Sequence, residues 1–223
     1  MRKITRTIYM GELQTARFFR TPYAARNNST LNQKFNIQAA LQYTPGNYPA
    51  ARYFAIGRGG HRAEAGPDGT TFISPIPHRV RNAALYLHTP FVLRPENNDI
   101  PAEERAKYAL RRSEAHNGNR YFAYYLKRID MTNTSTALHQ VRVRDGVSQT
   151  APFSPVAGDL SPTPPQVNPM GQVPSLSDGD YLTASSVITI NLTPTEIQEL
   201  INVARVLHND DRYAIISEVA FVS

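Results

Sequence analysis

The sequence predicts an α+β fold: a mixed, β-rich domain with two main helices, an extended N-terminal arm and a Pro-rich linker. Three observations carry that expectation. Only 19% of the 223 residues are charged, while 12 Gly and 17 Pro supply turns in a number that a helical bundle would not tolerate. Apolar and aromatic runs of strand type recur between residues 51 and 143. One segment after residue 190 carries a full set of helix start and stop signals.

In chain order, residues 1–50 scatter Phe18, Phe19, Tyr23, Phe35, Tyr43 and Tyr48 among Thr, Asn, Gln and Pro, which reads as an extended N-terminal arm or a loosely packed layer. Residues 51–150 read as a basic α+β core. Strand-type runs occupy 51–56, 83–93 and 121–129, and a fourth holds Leu138, Val141 and Val143 before the turn signal Asp145-Gly146. Between the second and third runs, residues 101–111 read as a helix. Pro101 sits in its first turn, acids lead, bases close it, and Glu103 stands four residues before Lys107.

Residues 151–176 read as a linker or arm, because seven of the 17 prolines lie between Ala151 and Pro174 with almost no charge. Missing amide donors and fixed φ favour an extended course there. Residues 177–223 read as an acidic β-α-β segment packing on the core. A β-branched run fills 181–192, and Thr193, Pro194 and Glu196 then form a capping box with proline at the first helical position. Ile197, Leu200, Ile201, Ala204 and Leu207 repeat at helical spacing, Asn209-Asp210-Asp211 closes the helix, and a last strand is expected over 213–222.

The net charge of +6 conceals an asymmetry. Residues 1–150 carry 22 Lys+Arg against 10 Asp+Glu, whereas residues 151–223 carry 2 against 8, a split of +12 and −6. Complementary potentials guide association and fix register, so the expected contact set pairs Arg58, Arg62, Arg111 and Arg112 with Asp178, Asp180, Asp210 and Asp211 of a neighbouring copy. Of the 24 cations 20 are Arg, whose planar fork of donors suits lasting contacts with carboxylates or phosphates.

Chemistry is sparse by comparison. Cysteine is absent, which excludes disulfides, thiolate zinc sites, iron–sulfur clusters and Cys nucleophiles. Gly57-Arg58-Gly59-Gly60-His61 offers amides to a phosphate but lacks both the Lys-Ser/Thr of a P-loop and the third glycine of a dinucleotide fingerprint. The six histidines, His61, His78, His88, His116, His139 and His208, have no metal-binding helical spacing, and there is no Gly-x-Ser-x-Gly or Ser-x-x-Lys motif. The acid pairs Glu103-Glu104, Asp178-Asp180 and Asp210-Asp211 stand in ordinary helix-start and turn contexts. The expectation is therefore a non-enzyme with no catalytic, cofactor-binding or metal residues and no small-molecule substrate, with an enzyme of uncharacterised type, lacking a recognisable nucleophile, metal cluster or phosphate loop, as the less favoured alternative. The basic start lacks an apolar run behind it, and no window reaches the roughly 18 apolar residues of a membrane span, so cytosolic synthesis and no membrane partner are expected. Arginines interleaved with Tyr53, Phe54, Tyr86, Tyr108 and Tyr121 would also suit nucleic acid, a partner less favoured because those aromatics stand at core spacing.

Five segments carry a family resemblance: residues 53–61, 84–95, 104–111, 123–128 and 211–218. In them the chain resembles small virion structural proteins of tailed bacteriophages. The resemblance implies a structural subunit, made in the host cytoplasm and resident in the virion, that assembles in several copies in the tail or baseplate with other virion proteins. A neck or head–tail junction protein touching portal or DNA is the alternative it implies. It supplies no catalytic residues.

Overall fold

The fold is taken from a computed structural model, which describes residues 6–24, 42–68, 70–82, 84–132, 134–160 and 180–222. The chain divides into two compact units, residues 1–130 with 191–223, and residues 131–190. As expected from the sequence, the architecture is α+β and rich in strand.

The larger unit opens with helix α1 (Ile8–Phe19), capped at Thr7, whose hydroxyl accepts from the Met10 amide, and closed by Arg20 in the left-handed region. Over residues 8–19 the chain is thus helical where the sequence suggested an extended arm or a loosely packed layer, and residues 25–41 of that stretch lie outside the described residues. The helix is held by its buried Ala16 face, by the Ile8 amide donating to the Val80 carbonyl at 2.8 Å, and by the Tyr48 hydroxyl donating to the carbonyls of Ala16 and Thr21. A small ladder of β1 (Tyr23–Ala24) and β2 (Gln42–Tyr43) follows, then β3 (Tyr53–Gly57) and a hairpin of β4 (His61–Ala65) and β5 (Thr71–Pro75). The run over 83–93 becomes two short strands, β6 (His88–Thr89) and β7 (Val92–Pro95), because Pro90 between them has no amide to give a ladder.

The expected helix over 101–111 is a single turn, α2 (Ala102–Arg105). From Tyr108 the chain is β8 (Tyr108–His116), hairpinned to β9 (Asn119–Arg128) through Asn117 and Gly118, both at positive φ. Alternating burial along β8 and eight registered pairs to β9 outweigh a local preference worth a few tenths of a kcal/mol. Asn-Gly flanked by alternating residues is the strongest short hairpin signal a sequence can carry.

β9 is the spine of a six-stranded sheet. β8 runs along one side of it; on the other side β7 pairs with residues 121–124, and β3 pairs with Arg128 and Lys127. Leu126 lies where the partner changes and takes φ 57°. β3 also pairs with β6 and with the last strand, β13 (Glu218–Val222).

Helix α4 (Pro194–His208) lies on this sheet, and its Asn202 side chain donates to the Leu93 carbonyl at 2.9 Å. Its capping box forms as the sequence predicts, with Thr193 accepting from the Glu196 amide and Glu196 accepting from the Thr193 amide at 2.8 Å. Leu93, Ala123, Tyr125 and Val203 make one buried cluster; Ile56, Phe91, Val92, Tyr108 and Tyr124 make a second, with Leu192 and Leu200 against it. Residues 211–213 form a 3₁₀ turn, so the final strand begins at Glu218 rather than 213.

The smaller unit is an antiparallel three-stranded sheet in which β10 (Thr136–Arg144) lies between β11 (Val147–Pro152) and β12 (Asp180–Ser186), with a short helix α3 (Ala157–Leu160) after β11. The turn at Asp145-Gly146 has both residues at positive φ. The expected boundaries therefore fall elsewhere. Strand β12, read as the start of an acidic segment on the core, registers all seven of its residues with β10, while α4 and β13 belong to the larger unit. Within the expected 151–176 linker, residues 151–160 end β11 and form α3, and the rest lies outside the described residues.

Candidate functional site

The glycine-rich loop after β3 already holds an anion, supplied by the chain itself. Glu218 opens β13 opposite Gly57, and its side chain turns inward with no solvent exposure. Its carboxylate accepts from the amides of Gly59 and Tyr86, each at 2.7 Å, and of Leu87 at 3.1 Å, while His78 Nε2 stands 2.8 Å away. The His78 ring stacks on Tyr86 with centroids 4.3 Å apart.

Glycine is required at this loop for space. A Cβ at Gly57 would meet the Leu87 carbonyl oxygen at 2.5 Å and Glu218 Oε2 at 2.7 Å, and one at Gly60 would meet the Ser217 carbonyl oxygen at 2.3 Å. The run that suggested a phosphate cradle is a latch closed by Glu218, joining the loop after β3, the 85–87 segment and the carboxyl-terminal strand. Nothing local could reveal this, since the partner lies about 160 residues downstream; the sequence hint is the single acid in a strand of apolar residues.

A second set of charges fastens α4 to the sheet. The Arg94 guanidinium grips the Glu199 carboxylate with two nitrogens, and Lys127 Nζ donates to Glu196 and to the Asn191 carbonyl. Both acids are buried, so each charge depends on its partner. Burial pushes the Glu196 carboxyl up, but Lys127 and the Thr193 amide outweigh it and hold it below the usual range. Beneath α2, Asp99 accepts from the Tyr124 hydroxyl at 2.6 Å, from the Ile100 amide at 2.9 Å and from Arg111 at 2.7 Å. Burial raises this carboxyl too, and those three donors bring it below its ordinary value. Tyr124 is pushed up to about 12 by burial and by the adjacent Asp99. Tyr125 is raised by burial and by Glu114, to which its hydroxyl donates at 2.8 Å.

The residues expected to form inter-copy contacts are mostly engaged within the chain. Arg111 bonds Asp99 and lies 3.5 Å over the Phe122 ring; Arg62 pairs with Glu64; Asp210 binds Arg212 and caps the 3₁₀ turn; Asp211 binds Arg205 at 3.1 Å. Arg58 lies over Tyr213 at 5.5 Å, so the structure brings it to the 210–213 turn of its own chain. Burial, and secondarily the Arg58 charge, lowers the pKa of His208 beside that turn. Arg112 is half-buried on β8, Asp180 stands opposite Arg142 in the β10–β12 register, and Asp178 lies outside the described residues.

The cations that remain without a carboxylate partner among the described residues include Arg79 and Arg81, which belong to the aromatic-interleaved arginines read as suited to nucleic acid, and Arg17 and Arg20, which were not singled out from sequence. Their signal was Arg17-Phe18-Phe19-Arg20, an apolar pair bracketed by charge. An open depression lined by Pro95, Glu96, Asn97, Asn119, Arg120 and Tyr121 has its two charges paired with each other at 3.2 Å. Among the described residues no group of three or more His, Asp or Glu side chains is placed to hold a metal, and no helix is long and apolar enough to cross a membrane.

Fold and site together define a β-rich α+β protein whose buried charges serve as fasteners between distant segments. The chain belongs to a family of unknown function, DUF7208, whose model matches residues 1–223. No curated protein and no solved structure matches it.

Proposed function

We propose that this chain is a non-enzymatic structural subunit of a tailed-phage virion, present in several copies in the tail or baseplate and held there by contacts with copies of itself and with other virion proteins. The observation that supports assembly most strongly is the bareness of the smaller unit. In its three-stranded sheet Val141 is the one buried apolar side chain among the described residues, while Leu138, Val147, Tyr181 and Leu182 are exposed.

Ordering each residue costs roughly 1–2 kcal/mol, and a sheet recovers this by burying one face against a second layer. With so little covered, a neighbouring subunit supplies that layer in this reading. Val187, just beyond β12, is 80% exposed as well. The closed Glu218 latch agrees with this reading, because the loop that most invited a ligand is committed to holding the fold. The virion assignment itself rests on the sequence resemblance. It is tested by quantitative mass spectrometry of purified particles of a phage encoding this chain: the reading expects a fixed ratio of several copies per particle, and absence of the chain from particles refutes it.

A further inference from the structure

Helix α1 and the turn that anchors it present a face that neither the latch nor the α4 fasteners use. Phe18 and Phe19 are 81% and 67% exposed, packed edge to face on each other with centroids 5.1 Å apart. Ile8, Met10 and Val80 are exposed near the other end, where the Ile8 amide meets the Val80 carbonyl. Arg17 and Arg20 bracket the phenylalanines, Arg79 and Arg81 bracket Val80, and none of the four has a carboxylate partner among the described residues. Arg6 adds a fifth positive charge, its guanidinium bonded only to the neutral Gln14 amide in the described contacts. The one acid on α1 is Glu12.

A second copy of the chain does not suit this face. Antiparallel pairing of two α1 helices would set Arg17 and Arg20 against Arg6, Arg79 and Arg81. The carboxylates of Glu96, Asp99, Glu196, Glu199, Asp210, Asp211 and Glu218 are all occupied within their own chain. Duplex nucleic acid would use the cations but leave Ile8, Met10, Val80 and the phenylalanine pair against phosphate, where they gain nothing. Bulky apolar side chains ringed by arginine are what an anionic bilayer surface takes: rings enter the acyl boundary while guanidinium groups stay at the headgroups.

We infer that α1 with the Arg79–Arg81 turn is a docking face for an anionic lipid bilayer, on which the 12-residue helix lies without crossing. This stands apart from the virion reading. The test uses the full chain and vesicles of phosphatidylcholine with or without phosphatidylglycerol. Sedimentation should show binding only with phosphatidylglycerol, weakening as salt is raised.

Each arginine near such a surface contributes about fivefold, so Arg17→Gln with Arg20→Asn should lower the partition constant about 25-fold. Asn is chosen because position 20 has positive φ. Phe18→Ala with Phe19→Ala should abolish binding. The chain has no tryptophan, so Phe18→Trp gives a single reporter whose emission should shift to the blue on phosphatidylglycerol vesicles. The inference is overturned by no binding to those vesicles, by binding that either double variant leaves unchanged, by an emission from the Phe18→Trp reporter that does not move, or by binding to a duplex oligonucleotide that needs the arginines and not the phenylalanines.

Discussion

Removing the Glu218 carboxylate should be among the most damaging single changes in the larger unit. Glu218→Ala deletes the acceptor for three backbone amides, those of Gly59, Tyr86 and Leu87, and the anionic partner of His78, at a side chain with no solvent exposure. A hydrogen bond to a charged acceptor contributes about 1.5–3 kcal/mol, and an unsatisfied buried donor costs about 1–3 kcal/mol. Water entering the vacated space restores part of this, so a loss of about 3–5 kcal/mol is expected. For a body of this size that lowers the thermal midpoint by roughly 10–15 °C.

Glu218→Gln keeps one acceptor oxygen and turns an NH2 toward amide donors, so about half the loss should remain. Far-UV circular dichroism during urea unfolding measures both, and hydrogen exchange at Gly59, Tyr86 and Leu87 reports the latch directly. Glu218→Ala within about 1 kcal/mol of the parent, with those amides still protected, would refute the reasoning.

Three further outcomes follow from the same contacts. Gly60→Ala, whose methyl would fall 2.3 Å from the Ser217 carbonyl oxygen, should destabilise by about 2–4 kcal/mol in the same unfolding assay, because the obstacle is backbone. Thr193→Ala removes half of the α4 capping box and should cost about 1 kcal/mol, seen as a shifted urea midpoint without a change in slope. Asp99 has a folded pKa below its unfolded value, so its stabilisation is complete above about pH 4 and fades as acid carries the pH down through the folded value. Thermal midpoints on the acid side should accordingly fall less steeply in Asp99→Asn than in the parent, and equal slopes would contradict the assignment.

What the sequence disclosed was mainly local. Helix α4 was legible because its start and its periodic face are written within 15 consecutive residues, and Asp145-Gly146 marked its own hairpin. Residues 101–111 misled because Pro101 and Glu103 do belong to a helical start, whereas Lys107 already lies beyond its C-cap Ala106. The ion pair that forms is Glu104 with Lys107, and the strand from Tyr108 is dictated by β9 across the Asn117-Gly118 turn. Helix α1 was overlooked because its residues show no strict apolar period; its stability draws on Tyr48 and Val80, both far along the chain. The latch was illegible for the same reason on a larger scale. A glycine loop that binds a phosphate and one that binds a distant glutamate present the same letters.

Amide hydrogen exchange over residues 136–152 and 180–186 weighs the proposal of an assembly subunit most directly, comparing the purified chain with the chain inside its native particle. The account predicts fast exchange in the free chain, since Val141, the one buried apolar side chain of this sheet among the described residues, cannot hold three strands closed, and slowing by about a hundredfold or more, some 3 kcal/mol of added protection, once neighbours cover the sheet. Full protection of those strands in the free chain, unchanged by assembly, would contradict it.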